Sequence, residues 1–594
     1  MDFQLEDGLT LQEVLDIIES NYDENDVESI FIEPPDPHVL TDEDSGNEDE
    51  GAYTSNLSAR QLTAGAEIRL KSGTNIVDEN TIALEIVDEL EDTGFKIPDN
   101  EKTTEWVKGD YEMPNLNFPS TDFSKYSHMR PVEIFELFFD DKLISYLVEQ
   151  SKLYALFKNV NDFDVTNDEI KCFIGILILS GYNGLPGKRF YWDSSDDVGN
   201  SLVKDSMRRD RFISIMRFIH CANNNEINVN DKVWKLRPVM DMLKDKFLIH
   251  FVPSQNLNYD ESMVKYFGKH SCKQFIRGKP IRFGYKIWCL NAPDGYLINF
   301  DFYQGISPKR KILYENMFGK CTAPFIKMLE EFPKEKKNLP YRFYFDNLFT
   351  GLNLLKFLKI NGYHGTGTIR ENRLPKNCPM SNQKIMQKKE RGESESAIEK
   401  NSGIFFARWK DNGVVTIGST VHGITPQSKT KRYSKTQKKI VQVDMPNCVF
   451  MYNKYMGGTD QMDENIARHR IGIRGKKWWW SLFTWLIDVS ITNSWKLYVN
   501  SGHKVTQLEF RRNIVQEYLT RFKNAPKRKG RPSSTSSKVP EGIRFDRLDH
   551  HVIPTIDGKR KRCAGAMCTS SVRTMCFKCD VGLCVDCFKT FHTK

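Results

Sequence analysis

Lysine and arginine are absent from the first fifty residues, which hold 18 acids. Over residues 1–100 the imbalance persists, with 27 acids against 4 bases, whereas the rest of the chain holds 81 bases and 51 acids. The modest net charge of +7 therefore joins an acidic tail to a strongly basic body. The tail reads as a mostly disordered, solvated segment. The N-terminus "MDFQLEDGLT" has no basic region followed by an apolar stretch, which excludes a secretory signal. Long apolar runs are also missing: the most apolar, "CFIGILILSGY" at 172–182, is too short to span a bilayer and reads as a buried helix of a soluble protein. No cysteine precedes Cys172, and the seven from Cys172 to Cys448 are scattered singles, expected to be reduced core thiols. No internal repeat is present.

At 594 residues, 39% hydrophobic, the chain is long enough for several folded units. A basic globular body points to a polyanionic partner, nucleic acid first. Within the tail, "LTLQEVLDIIES" reads as a short helix and Ser45 as a weak phosphorylation site. From Pro131 the pattern is helical, in "PVEIFELFFDDKLISYLVEQSKLYAL", "TNDEIKCFIGILILSGYNGLP" with a Thr-x-x-Glu cap, "SMRRDRFISIMRFIHCANNNE" and "KLRPVMDMLKDKFLIHFV". Strands then take over. "NLNYDES" (256–262), "RFGYKIWCLNAP" and "GYLINFDFYQG" precede a helix, the strand "LPYRFYFDN", a second helix and the strand "YHGTGTIREN". That order predicts a mixed α/β sheet whose fourth and fifth strands arrive through helical crossovers. Residues 371–445 read as an insertion containing the hairpin "IFFARWKDNGVVTIGST" and the basic run "KTKRYSKTQKK".

Asp260 and Asp346 are expected at strand ends, at a sheet edge, where a capping role is the bland account of either one alone. Asp460 and Asp463, spaced i and i+3, share one face of a helix, a common spacing on solvated helices. Together, two strand acids and a helical pair in this order suit a ribonuclease H-type core. There carboxylates converge on two divalent ions, Mg2+ or Mn2+, roughly 3.5–4 Å apart, for in-line phosphoryl displacement. Carboxylates this close repel, so bound cations are needed to keep all of them ionised. Between the first two acids, residues 265–286 hold seven Lys or Arg and no acid, with interleaved aromatics. Lys265, Lys269, Lys273, Arg277, Lys279 and Arg282 are candidate phosphate ligands, as are Arg468, Arg470, Arg474, Lys476 and Lys477. Trp478, Trp479 and Trp480 cannot all face one way on a helix, so at least one belongs in the core.

Six cysteines crowd into residues 563–587. Cys563-x4-Cys568, Cys576-x2-Cys579 and Cys584-x2-Cys587 with His592 give seven ligands suited to tetrahedral Zn2+, and His550 or His551 supplies an eighth for a second ion. The basic run "PKRKGRP" at 526–532 reads as a nuclear-import signal, with a minor-groove hook as the lesser use, and "KRKR" at 559–562 is a second import candidate.

The stretches "NYDESMVKYFG", "FYFDNLFT", "GTGTIREN", "YNKYMGGTDQMDEN" and "GKKWWW", followed by a cysteine-rich end, closely resemble piggyBac-family DNA transposases from about residue 130 onward. By that resemblance Asp260, Asp346 and Asp460 take the three catalytic positions and Asp463 an additional essential acid. The resemblance implies cut-and-paste transposition: 3′ nicking, hairpin formation at the ends, and joining at TTAA targets. It implies as well a homodimer acting on double-stranded DNA, a split helical DNA-binding and dimerisation domain, and a cross-brace zinc unit that recognises transposon ends. It favours His551 as the eighth zinc ligand; the x4 spacing of the first cysteine pair departs from the family's x2. The expected organisation is a tail (1–115), a helical domain (116–255), a ribonuclease H-like core (256–370) with its insertion (371–445), and the last acids with helical parts (446–500). A helical end with basic linker (501–544) and a zinc domain (545–594) complete it. Two competing readings are a transposase-derived DNA-binding protein without cleavage and a site-specific nuclease without strand transfer.

Overall fold

The computed structural model describes residues 27–32, 66–70, 94–98, 105–111 and 117–593, apart from 196, 267, 269, 276–282, 306–310, 435–436, 525–538, 540, 557 and 566–567. The expected helix at 9–20, Ser45 and the run "PKRKGRP" lie outside these residues. The chain divides into two compact units, one formed by residues up to Lys188 with Arg209–Lys523, the other by Arg189–Arg208 with Asn524–Lys594.

In the larger unit, strands β1 (Val27–Ile32) and β2 (Ala66–Leu70) pair antiparallel by themselves. The main sheet has ten strands: β3 (Trp106–Lys108), β4 (Asn256–Lys265), β5 (Gln274–Phe275), β6 (Phe283–Asn291), β7 (Leu297–Phe302), β8 (Arg342–Phe345), β9 (His364–Thr368), β10 (Ser394–Glu399), β11 (Phe405–Lys410) and β12 (Val414–Ser419). Their order is β3-β10-β11-β12-β9-β8-β4-β6-β5, with β7 also paired to β6. Of the first three long strands, β6 runs antiparallel to both β4 and β7, while β4, β8 and β9 run parallel to one another. Both crossovers are helical, through Ile312–Phe318 and Ala323–Glu330 and then through Leu352–Ile360, as parallel pairing requires.

One expectation changes here. Three strands within 371–445 are not set apart from the core: β12 pairs with β9, so β10–β12 continue the same sheet. Within the 1–115 segment, β3 adds an edge strand beyond β10, where Trp106 stacks on Phe406 at 4.7 Å.

Helices surround the sheet. The pattern beginning at Pro131 is two helices, Pro131–Glu136 and Asp141–Phe157, the second capped by Asp140, which accepts the Leu143 N–H. Asn167–Ser180 has the predicted capping box of Thr166 and Glu169 and is buried almost throughout. Gly175 lets it approach Gln507–Arg521: a Cβ there would meet Leu519 at 3.0 Å and Tyr518 at 3.1 Å. Trp480–Asn500 is largely buried, and its Asn493 side chain both donates to and accepts from the Leu297 backbone, satisfying part of the β7 edge. Among the described residues no helix is long and apolar enough to cross a membrane.

The smaller unit is built from short pieces. Its strands Val552–Pro554, Thr574–Cys576 and Val581–Gly582 form one sheet, Lys561–Arg562 and Ser571–Val572 another, and Val585–His592 is a helix. Its apolar core is small, with Val581, Leu583 and Phe591 packed among buried cysteines.

Candidate functional site

Strand register brings the first two acids together. Tyr259 pairs with Phe345 in the parallel β4–β8 ladder, so the residues that follow, Asp260 and Asp346, sit side by side one step further along. Asp260 lies in mid-strand, in the sheet interior between β6 and β8, not at a strand end or edge as expected; β4 simply runs longer than its apolar pattern suggests. Asp346 is the first residue after β8. Its Oδ1 accepts the Leu348 N–H at 2.7 Å, and Thr350 closes the turn by donating to its backbone oxygen. Carboxylate oxygens of Asp260, Glu261 and Asp346 all lie within 4.8 Å of one another. Glu261 is not among the acids that the sequence singles out. Its adjacency to Asp260 is the available signal, masked by the rule that consecutive strand residues face opposite ways.

The second pair arrives on the helix Gly458–Arg468. Thr459 donates to Asn291 Oδ1 at 2.9 Å and accepts from Asn258 Nδ2 at 3.1 Å, tying the first turn to β6 and β4. Gly458 permits this approach, because a Cβ there would lie 2.2 Å from Asn258 Oδ1 and 2.5 Å from the Ala292 oxygen. Asp460 then faces the open side, and Asp463 accepts the Ser262 hydroxyl at 2.7 Å. Half-buried Tyr452 and buried Cys289 register the nearby charges. Burial pushes the Tyr452 phenol up, and the charges of Asp346, Asp260 and Asp460 push it further. Burial likewise raises the Cys289 thiol, assisted by Asp463 and Asp260. The donor set is all carboxylate, the chemistry that suits Mg2+ or Mn2+. Gly458→Ala is expected to shift the helix and with it Asp460, lowering any cleavage rate by about 100-fold while the protein stays folded. Parallel cleavage kinetics and circular dichroism check it.

The basic segment after this helix is a clamped loop. Ser180 Oγ accepts the N–H groups of Gly472 and Ile473 at 3.0 and 3.2 Å, and Asp488 Oδ2 accepts that of Ile471 at 3.1 Å. Asp488 is itself held by Arg511 at 2.7 Å in an ion pair with no solvent exposure. A Cβ on Gly181 would stand 2.2 Å from the His469 oxygen, so the loop closes directly on that glycine. Arg468, Arg474 and Lys476 are exposed, Arg470 is half-buried, and Arg468 is paired with Glu464.

Not every expected phosphate ligand is on a surface. Lys477 is buried and donates to the Ile219 oxygen, its ammonium 5.2 Å from the Trp479 ring. Lys273 is fully buried, its ammonium 5.6 Å from the Phe283 ring centre. Both long side chains are drawn inward by aromatic neighbours, which removes them from the candidate surface. Lys265 is exposed, and Lys269, Arg277, Lys279 and Arg282 lie outside the described residues. All three tryptophans are buried: Trp478 stacks on His270 at 3.9 Å, and Trp480 donates to the Ile473 oxygen.

In the smaller unit the cysteines form two groups of four. Cys563, Cys568, Cys584 and Cys587 make one; His550, Cys576, Cys579 and His592 make the other, each with its donor atoms within 4.8 Å of one another. The x4 spacing does not displace Cys568, whose sulfur is 4.0 Å from that of Cys584. The hydroxyl and N–H of Ser570 draw its pKa down to about 6. Gly565 is required beside this group, since a Cβ would stand 2.6 Å from Cys587 Sγ. In the other group the upstream histidine is His550, and His551 is exposed outside it. His550 Nδ1 lies 3.4 Å from Cys576 Sγ and 3.5 Å from Cys579 Sγ, while its Nε2–H donates to Asp546 at 3.0 Å. His592 Nδ1–H donates to the Arg544 oxygen at 3.0 Å, leaving a buried Nε2 lone pair with no hydrogen-bond partner. Outer partners that fix tautomers in this way are the usual companions of metal-ligating imidazoles.

Residues 130–495 match a protein-family model described as Transposase IS4, which sets the class as transposase. The chain is 37% identical to the human piggyBac transposable element-derived protein 3, over 99% of both chains. It is 36% identical to the human piggyBac transposable element-derived protein 2, over 98% of this chain and 96% of that one. The fold resembles the cryo-EM structure of a piggyBac transposase synaptic complex with hairpin DNA, with a TM-score of 0.56 and 20% identity over 78% of this chain and 98% of the other. The chain belongs to the piggyBac family of transposases and transposase-derived proteins.

Proposed function

We propose that the protein is a cut-and-paste DNA transposase whose active centre is formed by Asp260, Asp346, Asp460 and Asp463. The single observation that carries this reading is the placement of Asp346 beside Asp260 by strand register, with the Asp460–Asp463 helix tied to β4 and β6 on the Asp260 side. The strand order β7-β6-β4-β8-β9, three antiparallel and two parallel, is that expected of a ribonuclease H-like nuclease core. Asp260, Asp346 and Asp460, with Glu261 within reach, would hold divalent cations, which when bound supply charge neutralisation and an activated oxygen for in-line displacement at phosphorus. The chain's own part is to keep the carboxylates at fixed separations on a sheet and a bolted helix, and to present Lys265, Arg474 and Lys476 to phosphates around them. The C-terminal groups suit two Zn2+ ions, through Cys563, Cys568, Cys584 and Cys587 and through His550, Cys576, Cys579 and His592. That unit would recognise transposon ends. Nuclear localisation, a homodimeric assembly and TTAA targets belong to the same reading.

The second reading, a DNA-binding protein that no longer cuts, is suggested by human relatives whose names mark them as element-derived. Excision decides between the two. A donor plasmid carrying the repeats that flank this coding region, bounded by TTAA, is expected to lose the insert in cells expressing the protein and to be resealed to one TTAA. Intact donor in cells where the protein occupies those repeats would favour the second reading and overturn the first.

A further inference from the structure

The basic run "KTKRYSKTQKK" has no part in the site above. It folds into a two-stranded ribbon, β13 (Ser428–Ser434) and β14 (Lys439–Met445), paired in register from Ser428↔Met445 to Ser434↔Lys439 and separate from the main sheet. The base is rigid. Val443 and Met445 are buried against Phe405, Trp409 and Ile417, and Trp409 Nε1 donates to the Asp444 oxygen at 2.8 Å. Alternation then decides which side chains point outward. Lys429, Lys431 and Tyr433 are exposed on β13, and Asp444, Gln442 and Ile440, their cross-strand partners, are exposed on β14. Lys438, in the turn at a φ of 50°, and Lys439 are exposed at the tip.

The ribbon treats its cations differently by face. Arg432, half-buried, is neutralised by Asp411 at 3.0 Å, and Asp411 is shared with Arg391. Among the described residues no ion pair engages Lys429, Lys431, Lys438 or Lys439. Lysines on a ribbon can serve only to discourage strand pairing with other molecules. That account does not explain Tyr433 and Ile440, directly opposite each other near the tip and 60% and 67% exposed, an apolar pair that invites association. A narrow ribbon carrying unpaired cations around an apolar tip has the width and charge to enter a DNA groove.

We propose that this ribbon is a separate, sequence-independent contact for duplex DNA, made through Lys429, Lys431, Lys438 and Lys439. The inference rests on the reading of the chain as a DNA-acting protein, and charge complementarity with phosphate commits it to DNA. The competing occupant is the chain's own acidic tail, with its 18 acids in residues 1–50.

The test uses the full-length chain carrying K429Q, K431Q, K438Q and K439Q together, with binding to a random-sequence duplex measured by fluorescence anisotropy across a salt series. Each phosphate that is no longer neutralised should flatten log affinity against log salt by ~0.9, so the slope is expected to fall by about 3 to 4. A rise from about 50 to 200 mM salt should then cost on the order of 100-fold less affinity than in the wild type. A slope equal to the wild type's overturns the proposal and leaves the transposase reading standing. A wild-type protein that binds no DNA at all overturns both. The same comparison in a chain lacking residues 1–50 should give the same slope difference; its disappearance would make the tail the occupant and overturn the proposal.

Discussion

Asp346→Asn protein is expected to bind transposon-end DNA with wild-type affinity and to leave it uncut. The asparagine carbonyl can still accept the Leu348 N–H, and the Thr350 bond goes to backbone, so the turn after β8 keeps its shape. The substitution removes one negative charge from among oxygens that lie within 4.8 Å of one another. A neutral amide is a poor ligand for a hard divalent cation, and the chemical step should slow by at least about a thousandfold, a barrier increase of ~4 kcal/mol. Binding relies on cations elsewhere and should not move. Cleavage with Mg2+ or Mn2+ and binding are measured side by side on the same DNA. Cleavage within tenfold of wild type would remove Asp346 from the centre.

The other large effect concerns zinc. The smaller unit has too little apolar core to hold itself together, so metal binding there should supply much of its folding free energy. Native mass spectrometry of the full chain should find two Zn2+ per chain, and chelation should unfold this unit while the sheet-bearing unit stays folded. His550→Ala should leave one ion, because Nδ1 of His550 lies between the Cys576 and Cys579 sulfurs. His551→Ala should leave two. The opposite pattern would overturn the ligand assignment, and a metal-free native chain would overturn the zinc reading itself.

The contrast between these two histidines marks where the sequence is legible and where it is not. The strand–helix alternation from 256 to 370 is carried by local periodicity, and the sheet follows it. The four acids stand out because residue type and order are visible in a string. Which strand lies inside the sheet is not, since β4 becomes central only through pairings with β6 and β8. Lys273 and Lys477 read as surface cations because polarity is the only local cue; their burial depends on Phe283, Tyr154 and Trp479, whose positions around them are set by the fold. His550 and His551 are adjacent and chemically identical, and only the backbone direction entering Val552–Pro554 separates them. β3 is hidden by the acidity of the tail around it, although Trp106 is there to mark a buried contact.

The clamp on residues 469–473 has a consequence for how such a chain can change. Ser180 and Asp488 hold the loop by its backbone N–H groups, and Gly181 leaves room for the His469 carbonyl. The loop's shape therefore does not depend on which side chains it carries outward. Lys476, exposed at the rim, can be exchanged, altering the polyanion that the loop prefers, without the loop having to be rebuilt. Substitutions at Ser180 or Asp488 would do the reverse, spoiling the shape while leaving every outward charge in place. A lineage can thus retune this surface freely at its rim and hardly at all from beneath.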